Sequence, residues 1–229
     1  MRTTLFASSL LALAIAAPSV QAHQAGDIIV RAGAVTVQTH ESTSGVKGDR
    51  GTLGTLGNLG GKASINNDTQ LGLNFAYMIT DNWGVELLAA TPFSHDVKIK
   101  GSSLAAANGK LGSFKHLPPT LSAVYYPLDS KSAFQPYVGA GINYTTFFNE
   151  SVSSSAKQRD FTSLNIKDSW GLAAQVGADY MLTDNIMING QIRYIDIDTT
   201  AYASHDAGRA KVNVDVKPWV YMLGLGYKF

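Results

Sequence analysis

The 229-residue sequence contains no cysteine. Small exported domains commonly lean on disulfides, so the stability of this chain has another source. Beyond residue 22 there is no long uninterrupted apolar run, although hydrophobic residues make up 45% of the chain. A helical membrane protein needs about 20 consecutive apolar residues per span, so that class is excluded. An excess of one charge is also lacking, with 18 basic against 17 acidic residues. No basic face for nucleic acid is implied. No metal-ligand spacing such as H-E-x-x-H occurs. Past the start, the histidines are His40, His95, His116 and His205, all at or near expected connections, and no serine is tied to any of them. Solvated loop histidines are their ordinary reading, and the expectation is no catalytic group, no metal and no cofactor.

What is present begins with an export signal. Arg2 is followed by an uncharged apolar stretch, Leu5 to Ala17, and then by Pro18-Ser19-Val20-Gln21-Ala22. Val20-Gln21-Ala22 fits the small-x-small cleavage rule. Cleavage is expected after Ala22, giving a signal peptide over 1–22 and a mature domain over 23–229 that starts at His23. The apolar stretch is too short for a membrane anchor. Removing 1–22 takes away Arg2 and no acid, which leaves 17 charges of each sign.

The rest of the hydrophobic content alternates. Counting back in twos from the C-terminus gives Phe229, Tyr227, Leu225, Leu223, Tyr221 and Trp219, backed by Lys228, Gly226, Gly224, Met222 and Val220. Strict period two means a strand with two different environments. Aromatics at both ends of an apolar face match the two interface girdles of a bilayer-spanning strand. The pattern recurs at Leu71 to Ile79, Val85 to Ala90, Leu117 to Tyr126, Val138 to Tyr144, Trp170 to Tyr180 and Ile186 to Tyr194. A less regular first strand runs from about Asp27 to Gln38, with Arg31 on its inner face. Eight strands result. Their connections alternate: 80–83, 127–132 and 183–185 are short and turn-like, whereas 40–67, 94–114, 149–167 and 199–211 are long. That asymmetry predicts an all-β, eight-stranded antiparallel transmembrane barrel with short periplasmic turns and long extracellular loops. A soluble lipocalin-like barrel would face its apolar residues inward; the girdle aromatics argue against it. Two strands lose phase near the loop side: Ile195 and Ile197 oppose Ile192, and Val212, Val214 and Val216 oppose Trp219. Bulges, or extensions above the membrane, account for both.

The interior of an eight-stranded barrel is filled by side chains or holds one small ligand, so a wide porin is excluded. Arg31, Glu86 and Asp179 face inward near the periplasmic end and are candidates for a polar plug, with a purely structural charge cluster as the alternative. Above them Leu88 and Ala90 are apolar, while Arg193 also points inward. The first long connection carries Leu53, Leu56 and Leu59 in Leu-Gly repeats. Exposed leucines need something to pack on, so they either roof a hydrophobic vestibule or fold on one another. Pro92 ends strand 3, and Pro118 and Pro119 begin strand 4. Proline has no N–H for a ladder, which predicts a local opening of the wall, the alternative being that strand ends near loops tolerate proline without one.

Several ordered segments resemble the outer membrane protein W (OmpW) family: His23 to Asp27, Gly51 to Gly54, Asn67 to Leu73, Val85 to Phe93 (VELLAATPF), His116 to Leu121 (HLPPTL), Pro136 to Phe148 (PYVGAGINYTTFF), Lys167 to Gly171, part of Tyr194 to Thr200, and Pro218 to Val220. The resemblance implies a small Gram-negative outer-membrane barrel with a hydrophobic channel. It implies uptake of small apolar or amphipathic molecules, with sideways release into outer-membrane lipid through a gap at Pro92, Pro118 and Pro119. It also implies contact with lipid and lipopolysaccharide, and recognition of the terminal Phe229 by the barrel-assembly machinery. A relative in that family carries an aromatic where this chain has Arg193, a departure that leaves room for polar or carboxylate-bearing cargo. The competing reading is a structural or surface-recognition barrel without solute flux.

Overall fold

A strand whose two faces meet lipid on one side and a packed lumen on the other keeps one set of side chains apolar and the other polar or small. The computed structural model describes residues 21–229, so the expected signal peptide lies almost wholly outside the described residues. These form sixteen strand segments: β1 (Ile28–Gln38), β2 (Glu41–Thr43), β3 (Val46–Arg50), β4 (Asn58–Ile65), β5 (Asp68–Met78), β6 (Trp83–Ala90), β7 (Phe93–Ser102), β8 (Gly109–Leu117), β9 (Thr120–Tyr125), β10 (Phe134–Val152), β11 (Phe161–Ile166), β12 (Ser169–Met181), β13 (Ile186–Ile195), β14 (Ile197–His205), β15 (Gly208–Val216) and β16 (Trp219–Lys228). Two short helices, α1 (Gly51–Thr55) and α2 (Ser154–Lys157), lie in the connections.

Eight of the strands make the membrane wall: β1, β5, β6, β9, the first part of β10, β12, β13 and β16. Each pairs antiparallel with the next. β1 also pairs with β16, from Ile29↔Lys228 to Gln38↔Trp219, and this closes the cylinder. Closure removes the open edges that hydrocarbon cannot tolerate. Gly33 is the register partner of both Gly224 and Gly72. A Cβ at Gly33 would stand 2.2 Å from the Leu223 carbonyl oxygen, so this seam needs glycine for backbone approach.

The outer face carries the apolar band. Leu71, Leu73, Phe75, Leu87, Ile142, Leu172, Val176, Ile188 and Leu223 are exposed on the analysed chain, Leu172 at 71%. Aromatics rim it: Trp83 packs on Tyr125 and Tyr227 on Phe229 at the turn end, while Tyr144 packs on Trp170 and Tyr194 on Trp219 at the far end. Trp170 and Tyr180 bound the band on β12. At about 3.3 Å per residue and a tilt of about 40°, their separation spans about 25 Å, the height of an outer-membrane apolar band.

Beyond that rim the expected long loops are mostly strand. β3, β4, β7, β8, the upper part of β10, β11, β14 and β15 prolong the barrel by hydrogen-bonded ladders. The reason is a reversal of the face rule. Above the membrane the outer face meets water, so apolar residues turn inward: Val97 and Ile99 alternate with Lys98 and Lys100, and Val212, Val214 and Val216 are buried. Ile195 and Ile197 stand on the same inward parity as Arg193. The apparent phase losses are thus extensions above the membrane in which the inner face changes from polar to apolar. β10 and β11 share no ladder in this upper section.

Candidate functional site

Inward side chains at the periplasmic end meet in one network. The Asp179 carboxylate accepts from Arg31 Nε at 2.9 Å and Nη2 at 2.5 Å, from His23 Nε2 at 2.9 Å and from Asn189 Nδ2 at 2.8 Å. Arg31 also donates to Asn74 Oδ1 at 3.0 Å and to the Tyr126 hydroxyl at 2.8 Å, and approaches Glu86 Oε2 at 3.4 Å. Glu86 Oε1 takes Arg193 Nη2 at 2.6 Å and Gln175 Nε2 at 2.9 Å. Arg31, Arg193, Glu86 and Asp179 are all buried, at no more than 1% exposure. Two cations and two carboxylates balance, and the hydrogen bonds replace lost water, which is the condition for burying such charges. The network links side chains of β1, β6, β12 and β13 across the lumen.

Above this layer the inward side chains are mainly apolar, with Asn143, Thr145, His95 and His116 among them. Val35, Val37, Leu88, Phe93, Ile195 and Val220 border a cavity of about 10 Å³ that also touches Ala89, Ala90 and Pro118 in the wall. Next comes a cavity of about 30 Å³ that shares Val37 with it and adds His95, His116, Thr145 and Phe147. The uppermost cavity, about 50 Å³, shares Ile65, Phe114, Phe147 and Val216 with the second and is walled mainly by valine, isoleucine, leucine, alanine and phenylalanine. The lowest has room for about one water molecule, so a solute enters this stack only as its apolar side chains part.

The wall beside the lowest space is interrupted. The β6–β9 ladder ends at Leu88↔Thr120 and the β7–β8 ladder resumes at Phe93↔His116. Pro92 lies in one break, Pro118 and Pro119 in the other. The prolines are held away from β6: Asn143 Nδ2 donates to the carbonyls of Pro118 and Pro119 at 3.0 and 3.1 Å, and the Tyr144 N–H reaches Pro119 O at 3.1 Å.

The candidate residues sort as follows. Arg31, Glu86 and Asp179 come together in one cluster. Leu88, Ala90 and Pro118 border the lowest space, and Pro92 and Pro119 sit in the interrupted wall beside it. Arg193 does not belong with them: its guanidinium reaches down to Glu86 and, through Nε, to Gln175 Oε1 at 2.7 Å. Burial without water demands a carboxylate, and Glu86 is the one at hand. Leu53 and Leu59 are buried in the upper core, whereas Leu56 is exposed. None of the three borders the uppermost cavity; Leu53 and Leu59 pack into the core of the extension.

Sequence reasoning missed Asn143, His23 and a histidine pair. Far from being solvated, His95 and His116 are buried at 2% and 6% exposure. Their Nε2 atoms are 2.8 Å apart, and His95 Nδ1 stands 2.6 Å from Asn66 O. Both lie in the extension outside the aromatic rim. Burial, with His95 as neighbour, pushes the His116 imidazole down to about 3; burial also lowers that of His95. The inward parity of His95 with Phe93 and Val97 was the available signal. Among the described residues no group of three histidines or carboxylates is placed to hold a metal ion.

An apolar outer band between aromatic rims, closed antiparallel strands and short turns at one end define an outer-membrane β-barrel. The OmpW family model matches residues 24–229. Outer membrane protein W of Vibrio cholerae is 44% identical over 229 residues, covering all of both chains. The crystal structure of OprG from Pseudomonas aeruginosa superposes with a TM-score of 0.85 at 50% identity, covering 92% of this chain and 99% of that one. AlkL of Ectopseudomonas oleovorans is 31% identical over 166 residues, covering 72% of this chain and 68% of AlkL; a solid-state NMR structure of an AlkL in lipid bilayers gives a TM-score of 0.62 at 27% identity, covering 93% of this chain and 94% of that one. This chain belongs to the OmpW family. It is an integral barrel of the Gram-negative outer membrane.

Proposed function

We propose that this barrel is a passive channel for small apolar and amphipathic molecules. They enter the upper lumen from outside, and the charged layer turns them sideways into the outer membrane. The observation that carries this reading is the apolar space above the plug, which reaches the wall where the Pro92 and Pro118-Pro119 breaks face each other. An apolar solute cannot cross the charged layer without stripping four ion-paired side chains, whereas the wall break leads to hydrocarbon. Lipopolysaccharide is the lipid its outer rim meets, and Phe229, exposed at the lower rim, is the contact we assign to the barrel-assembly machinery. Cleavage after Ala22 accompanies export in this reading.

The test is uptake of a labelled apolar solute by cells whose lipopolysaccharide leaflet slows direct entry, with the natural chain and with Pro92→Ala. Uptake that depends on the protein and falls in the variant supports the channel. Protein-dependent uptake that is unchanged in Pro92→Ala removes the sideways exit. Absence of protein-dependent uptake favours a surface-recognition barrel, the reading that a filled lower lumen also suits.

A further inference from the structure

The histidine pair adds a recognition element to this conduit. Its proton inventory follows from geometry. Asn66 O can only accept, so His95 Nδ1, 2.6 Å away, carries a hydrogen. A neutral His95 then has a bare Nε2, and His116 Nε2, at 2.8 Å, must be the donor to it. That leaves the second nitrogen of a neutral His116, Nδ1, as a bare lone pair. It is buried and has no hydrogen-bond partner within the protein. Buried acceptors are normally met, and an unmet one facing apolar surroundings is stabilised by any donor that arrives. The surroundings are aromatic: Phe93 stacks on His116 at 5.3 Å and Phe147 at 5.9 Å. His116 borders the middle cavity of about 30 Å³, which shares lining residues with the cavities above and below it.

We infer that His116 is a selectivity residue whose Nδ1 accepts a hydrogen bond from the hydroxyl of an apolar solute, an alcohol or phenol, whose hydrocarbon part lies among the phenylalanines. A site with a single unmet acceptor favours a donor. An ether of the same shape offers none, and a carboxylate brings a second acceptor and a charge into an apolar space. The inference rests on the channel reading for its biological use, but the binding itself is independent of flux.

The experiment uses the full chain with 15N-labelled histidine in lipid nanodiscs, titrated with 4-propylphenol and separately with its methyl ether. The phenol is expected to bind about threefold to tenfold more tightly than the ether, the worth of one neutral hydrogen bond, and to move the His116 Nδ1 signal, which the ether leaves in place. In His116→Phe the two affinities should converge. Equal affinities in the natural protein, or a phenol that leaves Nδ1 unmoved, overturn the inference; these readings need no variant to fold. Protein-dependent uptake of both compounds without preference or Nδ1 shift would keep the channel and remove the site. A preference with an Nδ1 shift but no protein-dependent uptake would do the reverse.

Discussion

Removing the Asp179 carboxylate should be the most damaging single change in the lower lumen. In Asp179→Ala two Arg31 hydrogen bonds, the His23 bond and the Asn189 bond all lose their acceptor. Arg31 is then left with Glu86 at 3.4 Å, a carboxylate that Arg193 already holds at 2.6 Å. Two buried guanidinium groups would share one negative charge. Breaking a buried pair by deleting one partner costs about 3–5 kcal/mol, because the survivor cannot recover its hydration. Replacing both partners by apolar groups of similar volume is commonly neutral or stabilising. The charge-balanced variant Arg31→Met with Asp179→Leu, which leaves Glu86 and Arg193 paired, should therefore recover most of the loss. Reversible urea unfolding from lipid vesicles measures both, and single-channel conductance reports whether the layer still seals. A loss under about 1 kcal/mol in Asp179→Ala, or a double variant as unstable as the single one, would refute the view of this layer as a charge-balanced seal.

Further outcomes follow from the same geometry. Val176→Arg, on the lipid-facing side of β12 between Trp170 and Tyr180, should cost about 2–4 kcal/mol of folding stability in vesicles; a cost near zero would move the membrane band. Gly33→Val should cost about 1–3 kcal/mol by overpacking, since its Cβ would meet the Leu223 carbonyl oxygen at 2.2 Å; unimpaired folding yield would contradict the tight seam. His116 should stay neutral on acidification from pH 7 to pH 5, as read by its 15N signals. Its folded value lies near 3 against an ordinary 6.5, with burial the largest cause and Asp68 opposing. Between those values the unfolded chain holds the proton and the folded chain does not. The contribution of His116 to stability is therefore full above pH 6.5 and declines as pH falls toward 3. A His116 signal titrating near pH 6.5 would show a solvated ring.

The membrane wall was legible because lipid enforces one rule on every strand, apolar out, and Trp219 to Phe229 or Trp170 to Tyr180 state it without interruption. The extension was harder to read. Water outside reverses the rule, so Ile195, Ile197 and Val212 to Val216 look out of phase when they have kept their inward parity. The charged cluster of Arg31, Glu86 and Asp179 could be placed by counting from the turns. Its fourth charged member, Arg193, could not, because a long guanidinium reaches one layer below its own Cα, and sequence spacing does not say which way. His95 and His116 were hidden by the same reversal that hid the strands around them, and Asn143 by its ordinary look on an inward face. What it clamps, two proline carbonyls on a neighbouring strand, exists only in three dimensions.

The central claim is that apolar solutes leave above the charged layer and not through it. Uptake of a labelled apolar solute should be compared in the natural chain, in Ala90→Trp, which fills the space beside the wall break, and in Arg31→Met with Asp179→Leu, which alters the layer below. The account predicts that Ala90→Trp abolishes protein-dependent uptake and that the double variant leaves it unchanged. Full uptake in Ala90→Trp, or a rise when the charged layer is altered, would mean that the solute runs straight down the barrel.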